Sequence, residues 1–150
     1  MFKLLSNLEL ANRQDVTMQT GDVSVSGYEG SWVTLNAQEK AILTTGANVL
    51  TWPVWSEAGD RTGSDAGYTP DVSETGKVTI LKGYFKALTD KYNTGASITL
   101  GTSLVTGDDG LLTAASGSET PGQVKAVCYK SPHSITYLGT TFTVIGIEKV

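Results

Sequence analysis

The chain has one cysteine, one histidine, four prolines and little charge, and each scarcity excludes something. Cys128 alone cannot close an intrachain disulfide, which removes the small secreted folds that are stapled by bridges. One cysteine and one histidine cannot fill the three or four nitrogen and sulfur positions of a zinc site. No stretch approaches the ~18 apolar residues of a membrane helix. The opening MFKLLSNLELANRQ is broken by Ser6, Asn7 and Glu9, so it does not read as a signal peptide. Together these point to a protein made in a cytoplasm, with no membrane partner. Charged residues are only 17% of the chain, with a net charge of −4. Its lysines and arginines are scattered singly, which argues against the clustered basic footprint of a nucleic-acid partner.

What replaces the missing charge is glycine, of which there are 17, together with many threonines. These are turn and strand residues, whereas long helices favour Ala, Leu, Glu and Lys. A length of 150 residues suits one domain. The reading is an all-β fold, a single β-sandwich or β-barrel-like domain over residues 16–150, preceded by an arm over residues 1–15. Leu4, Leu5, Leu8 and Leu10 give the arm its apolar character, as one side of a short helix or as an extended segment.

Strand signals dominate from Val16 onward. DVSVSG alternates Val23 and Val25 with small polar residues. SWVTL follows, then AILTTGANVLTWPVW, two β-rich runs in which Pro53 marks a strand edge or a break. Residues 56–76, rich in Gly, Ser, Asp and Pro, read as a long surface loop. KVTILKGYFKAL places Val78 and Ile80 on one face, and Gly83 marks a bend. LGTSLVTGDDGLLTAASG is a hairpin whose turn, Asp108-Asp109-Gly110, needs a positive φ at Gly110 and aspartates bonded to their own backbone. QVKAVCY, SITYLG and TFTVIGIEKV follow as further short strands. Their regular spacing favours a sandwich or barrel over alternating βα units.

The residues that carry chemistry are sparse. His133 follows Pro132 in an expected turn, and no G-x-S-x-G elbow accompanies it. Cys128, between Val127 and Tyr129, reads as a buried, inert thiol. Asp60, Asp65 and Asp71 share the long loop, but their spacing is not that of a calcium loop, so no metal is assigned. Phosphate-binding glycine motifs are absent. Trp32, Trp52 and Trp55 fall in the first half, as core or interface residues before a sugar platform. No catalytic residue and no cofactor is expected.

From Lys77 to Val150 the sequence resembles the small head-decoration, or cement, proteins of tailed bacteriophages. The pieces are a β-run closing on LKGYF, the approach KYNTGASITLGTSL, the hairpin DDGLLTAASG and the valine-rich strand GQVKAV. These families often carry G-x-x-L … G-x-[LI] followed by a strand of valines interrupted by glycine; here Ala126 stands in that glycine's place. The resemblance implies a non-enzymatic virion structural protein on the outer surface of a phage head, made in the host cytoplasm. It would bridge subunits of the major capsid protein, as a homo-oligomer, dimer or trimer. The expected contacts are Leu4, Leu5, Leu8 and Leu10 of the arm and the loop around Tyr68, with Trp52 and Trp55 as a self-association surface. Two other readings stay open. One is a receptor- or carbohydrate-binding module of a tail or fibre, which requires exposed tryptophans. The other is a hydrolase or lyase built from some pair of the 15 acidic residues.

Overall fold

The computed structural model describes residues 1–5, 11–17, 29–55 and 77–150. These residues form an all-β, sandwich-like structure of two packed antiparallel sheets. The larger sheet has six strands: β1 (Phe2–Leu4), β7 (Lys86–Thr89), β11 (Thr140–Lys149), β10 (Val124–Tyr137), β8 (Ser103–Thr106) and β9 (Leu112–Ala114), in that spatial order. The smaller has five: β2 (Ala11–Thr17), β6 (Lys77–Gly83), β5 (Trp52–Trp55), β3 (Trp32–Leu35) and β4 (Ala41–Leu43). The chain passes from the smaller sheet to the larger at Gly83, whose φ is 83°, which is the bend anticipated there.

Strand alternation sorts the side chains. Trp32, Trp55 and Leu81 of the smaller sheet meet Phe2, Phe85, Ala87, Leu104, Leu112, Ala126, Cys128, Ile145 and Ile147 in the core between the sheets. Phe2 packs edge-on to Phe85, with ring centroids 5.9 Å apart. Each large apolar side chain so buried contributes about 1.5–3 kcal/mol. The opposite face of the smaller sheet is apolar too: Val16, Val33, Ala41, Val54, Val78 and Ile80 form a second buried cluster. Val78 and Ile80 therefore do share a face, and Trp52 and Trp55 point to opposite sides of β5.

The structure departs from the sequence reading in four places. First, the described residues of the 1–15 segment join the two sheets and are not an arm separate from the β domain. Phe2–Leu4 pairs with β7 at the edge of the larger sheet, and Ala11–Thr17 pairs with β6. The Met1 amino group is 2.6 Å from Asp90 Oδ1. Of the four leucines that suggested an arm, Leu4 is a strand residue and Leu5 follows it directly, while Leu8 and Leu10 lie outside the described residues; Phe2 is buried in the core. Second, Pro53 lies in β5, which is internal to its sheet. Val54 N–H donates to the Ser31 carbonyl, and the Val54 carbonyl accepts from Gly30 N–H, so both Val54 groups face β3. The Pro53 nitrogen then faces β6, and the β5–β6 pairing ends at Val54, so the ladder stops where the N–H is missing while the β3 side of the strand stays bonded. Third, QVKAVCY and SITYLG belong to one continuous strand. Two bulges, between Cys128 and Lys130 and between Lys130 and His133, each insert a residue against β11, and Pro132 sits in the second. Fourth, His133 is therefore a strand residue and not a turn residue; its Nδ1 lies 2.9 Å from the Ser131 carbonyl oxygen. The DVSVSG segment and the whole of the 56–76 region fall outside the described residues.

The hairpin LGTSLVTGDDGLLTAASG forms as β8 and β9. Its turn is closed by the backbone: Gly107 N–H donates to Leu111 O at 2.7 Å and Leu111 N–H to Asp108 O at 3.1 Å. Gly110 has the expected positive φ, 69°, and Asp109 has one as well, 56°. The tip reaches the smaller sheet, where Gly110 N–H donates to Thr44 O at 3.2 Å. From there the β4–β5 connection runs along the larger sheet. Thr44 Oγ1 donates to Gly107 O at 3.0 Å, Thr106 Oγ1 to Gly46 O at 2.8 Å, and Gln123 Nε2 to Ala47 O at 2.7 Å. Thr44 and Thr106 are fully buried, so this is an internal polar seam whose hydroxyls are satisfied.

A Cβ on Gly110 would lie 2.7 Å from Trp32 O and 3.0 Å from Trp32 N, on backbone that cannot move aside. Gly110→Ala is expected to lower unfolding free energy by about 3 kcal/mol, combining left-handed strain with overpacking. Gly117 also has a left-handed φ but open space around it, so Gly117→Ala should cost only about 1–2 kcal/mol. Urea titration of the two variants checks the difference.

Candidate functional site

Exposed large apolar side chains among the described residues are Leu5, Val49, Leu50, Tyr84, Leu100, Leu138 and Val150. Five of them gather at one end of the larger sheet, and backbone bonds put them there. Leu5 N–H donates to Lys86 O at 2.8 Å, which seats Leu5 at the start of β7, beside Tyr84. Lys149 N–H donates to Phe85 O and Val150 N–H to Lys125 O, which seats Val150 between β7 and β10. The Lys125 ammonium donates to Val49 O and Gly122 O, which holds Val49 and Leu50 beside the start of β10. The row crosses β1, β7, β11 and β10, roughly 14 Å at ordinary strand spacing. Leu50 is 67% exposed at one end of it and Leu5 49% at the other.

This apolar rim carries fixed charge. Lys86 Nζ pairs with Glu148 Oε2 at 3.2 Å, and Tyr84 Oη donates to Glu148 Oε1. Lys86 Nζ also stands 5.6 Å from the Tyr129 ring centroid, and that ring lies against Gly146, where a Cβ would meet it at 2.8 Å. Lys125 is nearly fully buried, and its bonded acceptors are carbonyls, not carboxylates. Burial pushes its ammonium below the ordinary lysine range, and the Lys149 charge adds to the effect. An apolar row with a few oriented polar groups and no nucleophile held beside a base can bind by area and shape.

The residues named from sequence are scattered by the fold. Leu5 is on the rim. Leu4 is half-buried and packs on the core between the sheets. Trp55 is 5% exposed in that same core, so as a self-association residue it is corrected: its ring is committed to packing. Trp52 is half-buried on the other face, with Lys82 Nζ 4.9 Å from its ring centroid. Leu8, Leu10 and Tyr68 lie outside the described residues. Sequence reasoning missed Tyr84, Val49, Leu50 and Val150. The signal available for the first was the adjacent pair Tyr84-Phe85 after a bend, since alternation buries one and exposes the other. For Val49-Leu50 it was an apolar pair in the Gly- and Asn-bearing stretch TTGANVLT.

Cys128 is buried, as read, with Sγ donating to Lys130 O at 3.2 Å. Burial pushes its thiol up, away from the reactive thiolate. Asp108 and Asp109 border an open dish with Asn93, Leu111 and Thr113. Among the described residues, no group of three or more His, Cys, Asp or Glu is placed to hold a metal ion. Comparison with family models, curated proteins and solved structures returned no match.

The buried amine gives the rim a pH signature. A base with a lowered pKa in the fold binds fewer protons there than in the unfolded chain. Stability therefore rises with pH between the folded value and the ordinary lysine value. Lys125→Met removes this rise and leaves two carbonyls without their donor, a loss of about 1–3 kcal/mol. The stability gap between wild type and Lys125→Met should widen as pH climbs toward the ordinary lysine range, read from urea midpoints at several pH values.

Proposed function

We propose that the protein is a capsid decoration protein, which binds the outer surface of a tailed-phage head and stabilises contacts between major capsid protein subunits. The observation that carries this reading is the resemblance over Lys77–Val150. That half of the chain supplies five of the six strands of the larger sheet and two of the five rim residues, Tyr84 and Val150. A protein that cements a lattice works by presenting a fixed shape at many equivalent positions. Contacts that are individually modest become strong when several are engaged together.

The structure supports this reading in two ways. The apolar rim is a row of side chains beside strand ends and on the β4–β5 connection, tied to the sheet by hydrogen bonds, so its geometry is not that of a loose tail. The tryptophans do not favour a sugar platform: Trp32 and Trp55 are buried and Trp52 has Lys82 over its ring.

Co-sedimentation with capsids of the encoding phage, stripped of decoration, tests the proposal. The expected result is saturable binding at a fixed number of copies per capsid. Leu50→Asp should weaken that binding by tenfold or more, roughly the loss of one interface anchor, while leaving the melting temperature unchanged. Absence of binding to stripped capsids would overturn the reading.

A further inference from the structure

Strands β10 and β11 outrun the larger sheet. The chain through β8 is bonded to β10 as far as Cys128, with Cys128 N–H on Thr102 O and Gly101 N–H on Cys128 O, and Leu100 N–H reaches Ser131 Oγ; β7 pairs with β11 only from Ile145 onward. The segment from Pro132 to Val144 continues as a two-stranded ribbon whose strands pair with each other, with Lys3 Nζ of β1 5.3 Å from the Tyr137 ring centroid. It turns at Leu138-Gly139, with φ of 49° and 80°, a two-residue turn of the mirror-image type that flanks Tyr137↔Thr140. In such a hairpin the flanking pair exchanges both backbone bonds, and the alternation then fixes the rest. Tyr137 and Ile135 face β11, while the N–H and C=O of Thr136 and Ser134 point outward from β10. On the opposite edge Thr141 and Thr143 point outward. All four are exposed.

Open strand edges are ordinarily blunted by charge, shortness or cover. The other sheet edges here follow that rule. β1, β4 and β9 are three residues long, and β9 is also covered, with Leu112 N–H on Lys91 O and Asn93 N–H on Leu112 O. β2 carries Arg13 and Asp15. The ribbon breaks the rule: from Ser131 to Thr143 it has no Asp, Glu, Lys or Arg.

We propose that two copies of the chain join through this edge, with β10 of one copy antiparallel to β10 of the other and Ile135 on the two-fold axis. In that register Ser134 of each copy lies opposite Thr136 of the other, and each such pair exchanges both outward backbone bonds. Pro132, which has no N–H to offer, then faces Leu138 of the other copy. Both are exposed, and Leu138 is 68% so. Shifting the pairing so that Ser134 meets its own copy would set Pro132 against Thr136 and forfeit bonds. Leu138 also holds a left-handed φ that Asn or Gly adopts more easily, and an apolar contact at this place gives leucine a purpose there. A second copy suits the edge because its outward residues, Ser134 and Thr136, carry no charge and meet their counterparts without like-charge repulsion, although the chain as a whole carries −4. The pairing does not depend on the capsid reading.

Sedimentation velocity of the full chain over a dilution series tests the proposal. Thr136→Pro removes an outward N–H and leaves the β10–β11 ladder intact; Thr141→Pro does the same on the other edge. The expected result is a dimer for wild type and Thr141→Pro. For Thr136→Pro, dimerisation should weaken by at least about tenfold, with an unchanged circular dichroism spectrum. Amide exchange of wild type supplies a readout without substitution: the Ser134 and Thr136 amides should be protected in the dimer and exposed on dilution. A wild type that stays monomeric would overturn the pairing, as would a dimer insensitive to Thr136→Pro or one in which those amides exchange freely.

Discussion

The close approach of Gly110 to the backbone of Trp32 is the contact on which the rest of the structure depends. Two sheets can be held together by apolar burial alone, but burial is non-directional and tolerates sliding. Here the turn of one hairpin touches the main chain of the opposite sheet, at a distance that leaves no room for a methyl group. The hydrogen bond from Gly110 to Thr44 then fixes the position along the strand. A glycine at this point is a requirement of space as well as of φ.

From this contact the connection between β4 and β5 is drawn along the edge of the larger sheet. Its carbonyls are claimed in turn by Thr106, Gln123 and Lys125. Each donor is a side chain from the half of the chain that follows residue 77. The exposed Val49 and Leu50 are thereby carried next to Val150. The apolar rim is thus assembled from segments far apart in sequence, and its geometry inherits the rigidity of the seam. At the opposite end of the same sheet the ribbon is free of such constraint. The rim presents apolar side chains and the ribbon presents backbone groups, two surfaces of different chemistry on one sheet.

Much of the fold was legible where local pattern decides it. β-rich runs marked β3, β4 and β5, alternation marked β6, and the hairpin at Asp108–Gly110 followed from turn chemistry, down to the sign of φ at Gly110. The buried state of Cys128 followed from its apolar strand. What was not legible depends on partners. Pro53 reads as a strand edge or a break until the register places it where the β5–β6 pairing ends, with β3 still bonded on the other side. Pro132 and His133 read as a turn until the register with β11 shows two bulges within one strand. Phe2 and Leu4 resemble an arm because nothing local announces pairing with β7. The rim was largely hidden for the same reason: Val49, Tyr84 and Val150 become neighbours only through non-local pairing, and Leu5 alone was singled out beforehand. The side to which each tryptophan points is likewise a matter of register, and composition is silent on it.

We propose that the protein engages a capsid through the apolar rim of its larger sheet. Hydrogen exchange of the protein free and bound to stripped capsids tests this most directly. The account predicts new protection of the amides around Leu5, Val49, Leu50, Tyr84 and Val150, with the hairpin turn at Asp108–Gly110 unchanged. Protection confined to the dish around Asn93, Asp108 and Thr113, with none at the rim, would contradict it.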